Sequence, residues 1–138
     1  MGKRRKSREL ALQFLYQLDL NSGDDPAPHE DEFWSRHPVD AEARAFADGL
    51  VRGTKQNQPK IDHLIAQSAE HWDLDRMAAV DRNILRLAAY ELLFEYDVPP
   101  KVVINEAIEI SKKFGTAESS RFINGVLDRI HKELHPAS

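Results

Sequence analysis

Few residue groups in this 138-residue chain have the types and spacing to do chemistry. His131 and His135 stand one helical turn apart in His131-Lys132-Glu133-Leu134-His135, a near match to a zinc-protease helix. Lys132 occupies the place where the general-base glutamate must stand, and no third ligand follows, so a solvated helix end explains the pair better. Asp73 and Asp75 could hold magnesium, yet their place just before a helix makes capping the better reading. Asn105 and Glu106 carry acid–base groups early in a helix, where packing and the helix dipole account for them. There is no glycine-rich phosphate loop, no nucleophile elbow and no cysteine, so thiolate metal sites, cysteine nucleophiles and disulfides are excluded. No reaction assembles, and neither a cofactor nor a metal is expected.

A polyanion is the better-matched ligand. Lys3, Arg4, Arg5, Lys6 and Arg8 place five positive charges in the first eight residues, so the remainder carries −9 against an overall −4. An acidic body with one basic pole orients RNA as well as attracting it. A solvated basic tail would have the same composition. Single-stranded RNA also needs flat side chains on which bases can lie. Phe122 beside Arg121, and Tyr16 off the main stripe of the first helix, meet that need, although each also fits a core position.

The elements that must position these groups are helical. Leu10, Ala11, Phe14, Leu15 and Leu18 recur at helical spacing, predicting a first helix from about Arg5 to Leu20. Residues 21–40, rich in acids and proline, read as a long surface loop, with Phe33 and Trp34 anchoring a helical turn. Asp40 is a good cap for a second helix, in which Gly49 and Gly53 suggest a close neighbour. Asn57-Gln58-Pro59 opens a third helix facing inward through Ile61, Leu64, Ile65 and Ser68, and Trp72 reads as a core anchor.

The fourth helix, about Arg76 to Tyr96 with Asp75 as cap, is apolar on almost every side and therefore central. Only Arg86 and Glu91 interrupt its apolar stretch from Ile84 to Phe94. Pro99 and Pro100 launch a fifth helix, with Ile104, Ala107, Ile108 and Ser111 on its inner face. Gly115 stops that helix, and Lys112 and Lys113 complement its dipole. Thr116 is a candidate cap for a last helix with the stripe Ile123, Val126, Leu127, Ile130 and Leu134. The expected fold is all-α, a compact bundle of six main helices. No apolar run approaches the roughly 20 residues of a membrane span, and a bacterial cytoplasmic location is expected.

Four ordered segments carry a family resemblance, covering about Arg4 to Ile130. They are Arg4-Arg5-Lys6-Ser7-Arg8-Glu9-Leu10-Ala11 running to Leu15-Tyr16-Gln17; Val80-Asp81-Arg82-Asn83-Ile84-Leu85-Arg86-Leu87-Ala88-Ala89-Tyr90-Glu91-Leu92; Val98-Pro99 with Val103-Ile104-Asn105-Glu106-Ala107-Ile108-Glu109; and Phe122-Ile123-Asn124-Gly125-Val126-Leu127-Asp128. Together they resemble the NusB family.

The resemblance implies a single non-enzymatic domain of two three-helix halves, about residues 1–71 and 72–138. It implies binding of boxA-type single-stranded RNA together with NusE, a small-subunit ribosomal protein, within an antitermination complex on RNA polymerase. RNA contacts are then expected from Lys3, Arg4, Arg5, Lys6 and Arg8, with Glu118, Arg121 and Phe122 near the last helix. Asp75, Arg76, Asp81 and Arg82 are expected at the partner surface, where a mixed-charge strip selects a basic ribosomal protein.

Three features depart from the family pattern: the loop 21–40, Pro100, and the acidic Glu118 at an RNA-facing position. Two other readings stand beside this one. One is a free-standing relative of the targeting domain of ribosomal RNA cytosine methyltransferases. The other is a protein-binding helical adaptor. A homodimer covering the basic helix is a further reading, resting only on the amphipathic first helix.

Overall fold

The computed structural model describes residues 2–21, 25–70, 73–95 and 97–135. Among these the fold is all-α, with seven α-helices and two short 3-10 turns. The α-helices are α1 (Gly2–Leu20), α2 (Glu30–Arg36), α3 (Ala41–Gln56), α4 (Gln58–Ser68), α5 (Ala79–Phe94), α6 (Pro100–Phe114) and α7 (Ser119–Leu134). The 3-10 turns are Ala27–His29 and Leu74–Arg76. None of the described helices is long and apolar enough to cross a membrane. Trp72, and Tyr96 at the expected end of the fourth helix, lie outside the described residues.

Helix α5 is the axis of the molecule, as its all-round apolarity requires. It packs against α1, α3, α4, α6 and α7, burying Ile84, Leu85, Leu87, Ala88, Ala89 and Leu92. Phe14, Leu50, Ile65, Val103, Ile123 and Leu127 close around it from the surrounding helices. The approach of α3 is close because Gly53 has no side chain: the Tyr90 ring of α5 fills the space a Cβ would need. Gly49 is exposed, with nothing near its Cβ position, so only one of the two glycines serves packing.

The segment read as a loop is more ordered than its composition suggested. Helix α2 forms inside it because Phe33 and Trp34 have a core to enter. Phe33 stacks on Phe14 at 4.5 Å, and the Trp34 indole N–H donates to Asp48 Oδ1 at 2.8 Å. Arg52 of α3 holds Glu30 through two hydrogen bonds of 2.6 and 2.7 Å. The expected helical turn at Phe33 and Trp34 is present and longer, Glu30–Arg36, because burial of the two rings outweighs the local acidity and proline content.

Capping follows the sequence in part. Asp40 accepts the Ala43 N–H at 2.8 Å, and Pro100 opens α6 in its first turn. Asp75 does not cap α5. It sits within the 3-10 turn Leu74–Arg76, and α5 begins only after Ala78, with no side-chain cap. Thr116 does not cap α7 either; its own N–H is bound by Ser119 Oγ at 2.9 Å. The inner face of α6 is Val103, Ala107, Ile110 and Ser111, so Ile104 and Ile108 are only half-buried.

Candidate nucleic-acid interface

Helix α1 starts at Gly2, so the whole basic cluster is helical and its members point in fixed directions. Two of the five cations turn inward. Arg8 is 5% exposed, and its guanidinium donates to both oxygens of Glu91 at 2.9 to 3.1 Å. Arg5 grips Glu106 of α6 through a bidentate pair of 2.7 and 3.0 Å. Lys3, Arg4 and Lys6 remain exposed and enter no ion pair among the described residues. Arg4 lies over the Phe46 ring of α3, 3.9 Å from its centroid, a cation–π contact. Of the five cations read from sequence three are therefore exposed and unpaired with a carboxylate among the described residues, while Arg5 and Arg8 hold the helix that carries them.

The carboxylates show what these pairs do. Hydrogen bonding from Arg5 holds the Glu106 carboxyl below its usual range against the opposing effect of burial. Burial raises the Glu91 carboxyl even though Arg8 favours its charge. The two have opposite linkage. Stabilisation through Glu106 is complete above the unfolded carboxyl pKa and fades as pH falls through the lowered folded value. Glu91, with its folded value raised, favours the fold at low pH and loses that contribution as pH rises through it.

The α1–α6 seam leads away from the basic pole. Arg5–Glu106 is followed by Glu9–Lys113 at 2.9 Å, stepping along both helices in the same sense. Farther along, Tyr16, Gln13 and Phe114 line one open groove with Phe33 and His37. Tyr16 is 37% exposed there, away from the Arg4–Phe46 contact. Beyond the end of α6, an open cavity of about 220 Å³ is lined by Met77, Ala78, Asp81, Thr116, Glu118, Ser119 and Phe122. Phe122 is half-buried and its neighbour Arg121 exposed. The two ends of the expected RNA surface thus lie on α1 and α7.

The same cavity brings Asp81 of the expected partner strip beside Glu118 and Phe122 of the expected RNA surface. One Asp81 oxygen is buried without a hydrogen-bond partner in the protein. Asp75 and Arg76 are exposed on their 3-10 turn, and Arg76 reaches Asp73 only at 4.0 Å. Arg82 is different in kind. It binds Asp19 of α1 at 2.8 and 3.0 Å and donates to the carbonyls of Leu74 and Met77 at 2.9 and 3.2 Å. Burial pushes the Asp19 carboxyl up, but hydrogen bonds from Arg82 and Asn83 leave it below its usual range. Arg82 is a clamp on the turn that displays Asp75 and Arg76, rather than a displayed charge.

Sequence reasoning missed Phe46, Asp19 and the inward roles of Glu91 and Glu106. A signal existed for Glu91: a carboxylate interrupting an apolar helix needs a buried partner. Arg86, the other interruption, likewise pairs with Asp62 at 2.8 Å. His131 and His135 place their ring centroids 4.9 Å apart, and no third ligand joins them among the described residues.

These features define a small all-helical protein with free cations and an aromatic ring at one pole and a mixed-charge strip elsewhere. The family model of NusB matches residues 5–132, and the chain belongs to the NusB family. It is 53% identical to the transcription antitermination protein NusB of Desulfosudis oleivorans, over 97% of this chain and 88% of that protein. It is 49% identical to the NusB of Geobacter sulfurreducens, covering 97% of each. Among solved structures, NusB of T. maritima is similar with a TM-score of 0.84 at 44% identity, covering 94% of this chain and 91% of that one. A NusB solved with NusE and double-stranded RNA matches with a TM-score of 0.86 at 30% identity, covering 96% and 98%.

Proposed function

We propose that this chain is a non-enzymatic transcription antitermination factor that binds boxA-type single-stranded RNA jointly with the small-subunit ribosomal protein NusE. In this role it promotes ribosomal RNA transcription within the RNA polymerase antitermination complex, in the bacterial cytoplasm. It acts as one RNA-binding domain of two three-helix halves, about residues 1–71 and 72–138. The observation that carries the reading is the pole on α1. Arg5 and Arg8 fix the helix through Glu106 and Glu91, leaving Lys3, Arg4 and Lys6 exposed toward solvent. Family membership supplies the identity of the RNA and of the partner.

In this reading Lys3 and Lys6 take phosphates beside Arg4, and Arg121 and Phe122 receive RNA at the far end. Tyr16 extends the surface between them. Glu118 weakens RNA affinity locally and leaves the partner to supply the missing positive charge. Asp75, Arg76 and Asp81 meet NusE, with Arg82 holding them in place.

The test is a salt series by fluorescence anisotropy on a labelled boxA-like RNA. Three to four engaged phosphates predict a slope of log K against log salt of roughly −2 to −3. Lys3→Ala with Lys6→Ala is expected to make that slope shallower by about 1.4 while leaving the thermal midpoint unchanged. An unchanged slope would place the phosphates elsewhere.

A further inference from the structure

The Arg4–Phe46 contact forms one wall of an open groove of about 400 Å³, between the start of α1, α3, and the turn from α5 into α6. That volume lies within the about 300–1,000 Å³ of pockets that hold small organic groups. Val98 and Val102 form the apolar side, and Val102 is 43% exposed although it is a large hydrophobic residue. At the floor, Glu91 and Glu106 are already taken by Arg8 and Arg5. The carboxylates of Glu95 and Asp97 also line the groove, and neither enters an ion pair or side-chain hydrogen bond among the described residues.

We propose that this groove is a nucleobase subsite that selects bases bearing an exocyclic amino group. The inference rests on the single-stranded RNA reading and adds to it a site and a rule of choice. Free carboxylates repel phosphate, so a strand held by Lys3 and Lys6 enters base first. A guanidinium lying on an aromatic ring is a flat, cationic platform on which an unstacked base can lie. The acceptors at the groove edge match the amino groups of adenine and cytosine, whereas uracil presents a carbonyl oxygen in the same place. Carboxylates thereby do in this groove what a basic surface cannot: they discriminate between bases.

The experiment measures anisotropy at low salt with labelled adenosine-only, cytidine-only and uridine-only RNA of equal length. The wild-type protein is expected to bind the uridine strand about tenfold more weakly than the other two, the scale of one mismatched base contact. Glu95→Gln combined with Asp97→Asn is expected to bring the three within about twofold, since amides both donate and accept. Phe46→Leu, which keeps an apolar side chain on α3, is expected to weaken all three alike. A wild-type protein with no preference, or a double variant that keeps the original ranking, overturns the subsite; the latter is also the result if the groove receives a protein segment. A wild-type protein that binds none of the strands contradicts the RNA reading itself and the subsite with it.

Discussion

Glu91→Ala is expected to lower the free energy of unfolding by about 3–5 kcal/mol, measured by urea denaturation at neutral pH. The Arg8 side chain is 6% exposed and Glu91 is its bidentate partner, so the substitution leaves a guanidinium buried without a counter-charge. Glu106 stands 4.0 Å from Arg8 but is already engaged by Arg5, so it compensates only in part. The companion result separates pairing from packing. Arg8→Met with Glu91→Leu removes both charges and keeps the volume, and is expected to restore most of the lost stability. If the single and double variants were equally unstable, the pair would be acting through shape rather than charge.

Arg82→Ala is the second large effect, expected at about 2–4 kcal/mol because it strips hydrogen bonds from a carboxylate and from two carbonyls at once. Its functional consequence differs from that of Arg76→Ala. Arg76 is exposed, so its replacement is expected to leave stability within about 0.5 kcal/mol. On the proposed reading it weakens only the affinity for NusE. With Arg82 gone, the carbonyls of Leu74 and Met77 lose their clamp, and the turn carrying Asp75 and Arg76 is free to move. Partner affinity and stability are then expected to fall together. Calorimetry on the two variants, with thermal melts alongside, distinguishes a displayed charge from the residue that positions it. Loss of affinity in Arg82→Ala without any loss of stability would return Arg82 to the contact surface.

The helices were legible where one physical rule decided them. The all-round apolarity of Ile84 to Phe94 identified the central helix, and its two charged interruptions mark the buried ion pairs. Asp40 and Pro100 marked helix starts by local chemistry alone. Helix α2 was only half legible, because the burial of Phe33 and Trp34 depends on Phe14 and Asp48 in other helices.

The basic cluster shows the same limit for the site. Composition counted five cations, but only the placement of Glu91 and Glu106 on α5 and α6 decides which of them face water. Phe46 carried no local signal, since an aromatic at helical spacing is indistinguishable from a core residue until Arg4 is seen above it. Sequence alone makes Arg82 look like a displayed charge, because its partners, Asp19 and two backbone carbonyls, are distant or invisible there.

Joint binding is the central claim, and its most direct test is the affinity for a labelled boxA-like RNA with and without saturating NusE. Coupling of about 1–3 kcal/mol is expected, so RNA affinity should rise roughly 5- to 150-fold with NusE present. Affinity for NusE should rise by the same factor when RNA is bound, because the coupling is reciprocal. Equal RNA affinity in the two conditions, from a protein that binds both ligands, would contradict a joint surface and leave two independent sites.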